Sequence, residues 1–157
     1  MVSGREIMEE ANPRERIGAD TLATMRDTAL LFRAIVEPAC RKAGLTLQQL
    51  YVLGELSAEP HQTAMELADR VGIRRTNFAG VCNKMVANGL ITRERGVDDR
   101  RKAYLELTSE GEAAFDSVMS SVGERLDRAS IVMGEQDYIA IRDGAESLRK
   151  LLQEATV

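Results

Sequence analysis

Between Thr63 and Thr108 the sequence is punctuated tightly enough to leave few folds open. Thr63-Ala64-Met65-Glu66 has the form of a capping box, in which a threonine and a glutamate three residues on satisfy each other's backbone N–H groups. A helix starting there meets Val71-Gly72, and glycine is the residue that most readily ends a helix in the left-handed conformation. A second helical pattern, roughly Arg74 to Asn88, places Phe78, Val81, Cys82 and Met85 at i, i+3, i+4 and i+7, and stops at Gly89. Leu90 to Arg95 and Ala103 to Leu107 then read as two short strands joined by the arginine-rich loop 96–102.

Helix, tight turn, helix and basic hairpin is the layout of a winged helix-turn-helix, which sets its second helix into the major groove of duplex DNA. The flanking sequence is helical. Residues 1–19 form a polar arm with Asn12-Pro13 as a breaker, and Asp20 is placed to cap a helix carrying Leu22, Met25, Ala29, Phe32 and Val36 on one face. Leu30 and Leu31 widen that face, and Gly44 closes the segment. Thr46 and Gln49 form a further capping box ahead of Leu47, Leu50, Leu53 and Leu56, a helix that Glu59-Pro60 ends. His61-Gln62 is placed to form a very short strand beside the hairpin. Ser109 and Glu112 have the capping-box spacing before a long helix to about Ala129. A last helix, from about Glu135 to Glu154, bears Tyr138, Ile141, Ala145, Leu148 and Leu152.

The expected fold class is therefore mainly α with a small β-hairpin wing. A reading head over 46–108 is joined to a helical dimerisation region built from 20–45 and 109–157. The broad apolar faces of the first and last helices fit a second copy of the chain or the chain's own core. A symmetric reader with two heads favours the homodimer.

Charge supports a polyanion partner. The net charge is −4, yet Arg70 to Lys102 holds nine basic and three acidic residues, a local +6 on a remainder of −10. A basic segment on an acidic body is the footprint of local nucleic-acid binding. With 157 residues, 44% hydrophobic and 29% charged, the chain suits one globular domain. Two cysteines and one histidine give no metal-ligand spacing, and two distant cysteines suit a reduced, cytoplasmic chain. No apolar run approaches ~18 residues, and the amino-terminal stretch is rich in Glu and Arg without a secretory pattern, so no membrane partner is expected. No metal or cofactor is expected.

The second helix supplies the chemistry of reading. Arg75, Thr76 and Asn77 occupy its first turns, where Arg pairs with guanine, Asn with adenine and a Thr methyl with thymine. Arg74 and Lys84 are placed for phosphates. Gly80 leaves the outer face bare for close approach, or is simply tolerated. In the loop, Asp98 and Asp99 would repel phosphate unless one of them orients an arginine. Arg101 is assigned to the wing tip in the minor groove, with Asp99 as its brace and Arg100 as the reserve.

On these residues the span from Leu45 to Gly111 resembles the MarR (multiple antibiotic resistance regulator) family of bacterial transcription factors. The resemblance rests on LTLQQLYVLGEL, ELADRVGI, a recognition-type helix ending MVANGLITRE and, most specifically, DDRRKAYLELTSEG. It implies an intertwined dimer, usually a repressor of nearby genes, on a pseudo-palindromic operator. Release by a small, often aromatic, anionic effector or by cysteine oxidation is also implied. The family's effector pocket lies between the dimer helices and the head, where Arg26, Phe32, Arg33 and Tyr51 are the candidates here. Cys82 reads as a core thiol, and Cys40 is a poor match to the family's sensing position. Arg74 stands where the family often has a Ser cap, and Gly80 where a basic residue is common. An enzyme is the alternative from another class, but no phosphate loop, metal cluster or nucleophile–base motif is present. A winged-helix module for protein contacts is the other alternative.

Overall fold

The computed structural model describes residues 13–96, 103–129 and 134–155. In chain order the elements are α1 (Pro13–Lys42), α2 (Leu47–Ala58), β1 (Gln62–Thr63), α3 (Ala64–Arg70), α4 (Arg75–Ala87), β2 (Ile91–Arg95), β3 (Ala103–Leu107), α5 (Ser109–Ala129) and α6 (Glu135–Ala155). The molecule is mainly α with one small antiparallel sheet in the order β1-β3-β2, which is the winged helix-turn-helix expected from the sequence. The contacts divide the chain into two units, one reaching to Ser120 and the other beginning at Ser121.

Local signals account for most boundaries. The capping boxes at Thr46 and Thr63 both form. The Gln49 N–H donates to the Thr46 hydroxyl at 3.2 Å, and the Glu66 N–H to the Thr63 hydroxyl at 3.3 Å. Gly72 and Gly89 have φ of +66° and +70°, a conformation that costs glycine little and other residues more. Each sits one residue past a helix cap. Gly72 donates to the Asp69 carbonyl and Ile73 to Ala68; Gly89 donates to Val86 and Leu90 to Met85. That paired bonding satisfies carbonyls which the ends of α3 and α4 would otherwise leave open.

Two expected helix starts are corrected. Asp20 lies inside α1, not at its cap, because the helix reaches back to Pro13. Proline fits a first turn, where its missing N–H has no intrahelical partner, so the residue expected to break structure is compatible with beginning it. At α5 the cap is Thr108, one residue before the expected Ser109. The Thr108 hydroxyl accepts from the Gly111 N–H at 3.0 Å and donates to the Gly89 carbonyl at 2.6 Å. It thereby ties the end of α4 to the start of α5. Gly111 is needed there for space, since a Cβ would lie 2.0 Å from the Leu90 carbonyl oxygen.

The core of the first unit lies where α2, α3 and α4 meet the sheet. Leu53 and Leu56 of α2, Leu67 and Ala68 of α3, Phe78, Cys82 and Met85 of α4, and Ile91 and Leu105 of the strands are all buried. Each large apolar side chain buried there contributes roughly 1.5–3 kcal/mol. Val81, expected on the same face, is half-buried. The sheet register runs from Ile91↔Leu107 to Arg95↔Ala103, with Gln62↔Leu105 and Thr63↔Tyr104 on the other edge of β3. Gln62 donates to the Glu55 and Glu59 carbonyls at 2.9 and 2.6 Å, closing the end of α2. His61 precedes the strand rather than joining it. It has a φ of +61°, stacks on Tyr104 at 4.3 Å and meets Glu106 through Nδ1 at 2.6 Å.

Several large apolar side chains are exposed among the described residues. On α1, Leu22, Leu30, Leu31 and Phe32 are exposed; on α6, Tyr138, Ile139, Ile141, Leu151 and Leu152 are exposed. No described helix is long and apolar enough to cross a membrane.

Candidate nucleic-acid interface

The α4 helix divides cleanly by face. Phe78, Cys82 and Met85 hold it to the core, and burial pushes the Cys82 thiol up to about 11. Arg75, Thr76, Asn77, Ala79, Gly80, Asn83 and Lys84 are all exposed. The outward strip is therefore small and polar with cations near both ends. Nothing lies within 4 Å of the position a Cβ on Gly80 would take. Arg74 is the helix cap and makes no side-chain capping bond.

Arg75 is not a free cation. Its Nε and Nη2 donate to Asp69 Oδ1 and Oδ2 at 3.2 and 2.7 Å, linking the first turn of α4 to the last turn of α3. The Arg75 hydrogen bonds hold the Asp69 carboxyl below its ordinary range, and Asp69 raises Arg75 in return. Asp69 was not among the residues expected at the site. The sequence signal for it was an acid and a base set either side of a glycine turn, a pattern without a unique geometry. Arg93 on β2 approaches the same face, with Nη1 3.4 Å from Asn83 Oδ1. Arg75 and Arg93 both border a cavity of about 220 Å³ between α3 and α4, floored by Ala68, Phe78, Ala79 and Cys82. The wing residues Asp99, Arg100 and Arg101 lie outside the described residues.

A second cavity, of about 430 Å³, opens on the other side of α3. Phe32, Leu50, Tyr51, Gly54, Glu55, Arg70, Val71, Phe115 and Met119 line it. The structure thus brings together Phe32 and Tyr51 of the four effector candidates. Arg26 and Arg33 do not line it; they pair with Asp27 at 2.9 Å and Glu37 at 2.7 Å on the outside of α1. The cavity's cation is Arg70, which in the sequence stands out only as part of the basic segment. Arg70 pairs with Glu59 at 2.6 Å and Glu55 at 3.4 Å, and the Glu59 hydrogen bond raises it further above its ordinary range. Among the described residues no group of three or more His, Cys, Asp or Glu side chains could hold a metal ion.

The MarR family model matches residues 43–102, which run from the end of α1 through the head into the wing loop. The HTH-type transcriptional regulator FarR of Neisseria gonorrhoeae is 29% identical over 114 residues, 73% of this chain and 78% of that protein. Residues 43–102 thus carry a MarR-family domain. FarR is by name a regulator of transcription, and α4 lies within the matched residues. The homoprotocatechuate degradative operon repressor of Escherichia coli is 31% identical over 87 residues, 55% of this chain and 59% of that repressor. Among solved structures, the transcriptional repressor CouR bound to a 23-mer DNA duplex is 27% identical, with a TM-score of 0.67 over 85% of this chain and 90% of that one.

Proposed function

We propose that this chain is a homodimeric MarR-family repressor that reads a pseudo-palindromic double-stranded operator and leaves it when a small aromatic anion binds. The observation that carries the reading is the outward strip of α4, where Arg75, Thr76 and Asn77 stand exposed on a helix anchored by its opposite face. A helix so anchored enters the major groove with its first turns against base edges. Arg74 and Lys84 contact phosphates, Gly80 admits the backbone closely, and Arg101 is the residue assigned to the minor groove, with Asp99 as its brace and Arg100 as the reserve. The DNA-bound state of CouR, a relative of similar fold, supports the mode of engagement.

Dimerisation is supported by the exposed apolar side chains of α1 and α6, among them Leu22, Leu30, Leu31, Tyr138 and Ile141. Two heads then meet successive major grooves about one turn apart, roughly 34–36 Å. The effector site is the cavity holding Phe32, Tyr51 and Arg70. Its volume and aromatic walls suit a small ring, and its arginine suits a carboxylate. The name of the homoprotocatechuate operon repressor is consistent with a regulator of aromatic-acid genes. An effector acts only if it binds the released state more tightly than the bound one. The test is a titration of a duplex from the chain's own promoter region with and without a panel of small aromatic carboxylates. Binding that one of them reverses supports the reading, and failure to bind any inverted repeat selected from random duplexes contradicts it.

A further inference from the structure

We infer that Asp69 is a positioning residue for base recognition: it braces Arg75 from the side so that the arginine presents its end-on edge to a guanine. The inference deepens the reading of Arg75 above and rests on it. A guanidinium carries five N–H donors in a planar fork. The Asp69 carboxylate takes the edge formed by Nε and Nη2, at 3.2 and 2.7 Å. The remaining edge, between Nη1 and Nη2, keeps two parallel N–H groups, the pair that matches guanine O6 and N7. One arginine can therefore be held sideways by an acid and read a base head-on at the same time.

Three features make this more than an incidental surface pair. Asp69 is rooted in a rigid place, because its backbone carbonyl accepts from the Val71 and Gly72 N–H groups that close α3. Both charges also stand against their own helices: an acid in the last turn of α3 and a base at the first residue of α4, the reverse of what helix dipoles favour. Local helix stability does not account for that arrangement, and mutual pairing across the turn does. Finally, Asp69 is exposed on a face proposed to meet phosphates, where an unpaired acid would only repel DNA.

The last point separates the brace from a bystander. The experiment uses the full chain and an inverted repeat selected by the wild-type protein from random duplexes. Binding of the wild type, Asp69→Ala, Asp69→Asn and Arg75→Ala is measured on that repeat, on a scrambled duplex, and on repeats with each guanine singly replaced by 7-deazaguanine, which lacks the N7 acceptor. The wild type is expected to lose about tenfold at one guanine in each half-site. Asp69→Ala is expected to lose about tenfold on the selected repeat and to become insensitive to that replacement, while holding the scrambled duplex as tightly as the wild type or more so. Asp69→Asn, which keeps one acceptor, is expected to fall between. Thermal unfolding midpoints within a few degrees of the wild type establish that the variants are folded. Asp69→Ala tightening both duplexes equally, or keeping the guanine profile that Arg75→Ala loses, overturns the brace alone. Arg75→Ala keeping the profile, or a wild type indifferent to every guanine, overturns the reading of Arg75 on which the brace rests.

Discussion

Arg75 and Asp69 face each other across the turn at Gly72 as a two-pronged ion pair, with Nη2 2.7 Å from Oδ2 and Nε 3.2 Å from Oδ1. Both side chains are more than half exposed, so the pair's weight in overall stability is small. Its signature is in titration. Asp69 has a folded pKa below its unfolded value, so the pair's contribution is present above the ordinary Asp range and is lost as pH falls through the lower folded value. The Asp69 carboxyl, followed by carbon-13 NMR, is expected to titrate below the free value of about 3.9 and to return towards it in Arg75→Ala. Equal midpoints in the two proteins would show that the fork does not persist in solution.

Two glycines give opposite expectations for the same substitution. Gly111→Ala places a methyl 2.0 Å from the Leu90 carbonyl oxygen and must displace backbone, at a cost of about 3 kcal/mol or more. Gly80→Ala meets nothing within 4 Å and lies mid-helix, so it is expected to stabilise the free protein by roughly 0.5–1 kcal/mol. If DNA approaches α4 at this point, the same Gly80→Ala protein binds its duplex more weakly. Denaturant unfolding measures the first two effects. A stabilised Gly80→Ala protein with unchanged DNA affinity would remove Gly80 from the interface.

Both cysteines are buried, and burial raises both thiols above their ordinary value, Cys82 to about 11 despite the partly opposing Arg93. At pH 8 roughly a thousandth of Cys82 is thiolate, the form that reacts. Alkylation of the native protein is expected to run at least about a hundredfold slower than that of an unfolded control, with acceleration only under unfolding conditions. Rapid labelling of Cys40 or Cys82 at neutral pH, with loss of DNA binding, would instead point to an oxidation-sensitive regulator.

The cavity beneath Tyr51 carries its own test. Arg70 is tethered to Glu59 and Glu55, and an effector carboxylate has to compete for it. With an aromatic carboxylate that binds the wild type, Arg70→Ala is expected to weaken binding by about tenfold, in line with the loss of one charge-assisted hydrogen bond. Arg33→Ala, on the outside of α1, is expected to change it by less than twofold. Calorimetry on both variants checks this, and the opposite order would return the effector site to Arg33.

What the sequence made legible was what is local. The boxes at Thr46 and Thr63 and the turns at Gly72 and Gly89 each need only a few neighbouring residues, and all four form as read. Ser109 has the right spacing to Glu112, yet Thr108 caps α5, because only its hydroxyl also reaches the Gly89 carbonyl, 19 residues away in the chain. The same limit applies at the site. The exposed strip of α4 follows from helical period alone. The Asp69 partner of Arg75 and the place of Arg70 in the second cavity depend on how α3 crosses α4 and α2, which no spacing encodes. Arg26 and Arg33 are equally polar in the sequence but find acids on their own helix.

The most direct test of the account is the salt dependence of binding to a fluorescent duplex carrying the chain's own promoter region, for the wild type and for the double substitution Arg75→Ala with Arg101→Ala. For the wild type, log K is expected to fall linearly with log salt, with a slope of about −0.9 per phosphate neutralised, and an excess of a competing random duplex should not displace it. The double variant should lose preference for the promoter and bind it no better than the random duplex. A double variant that keeps the wild-type affinity and preference would contradict the assignment of α4 and the wing as the reading surface.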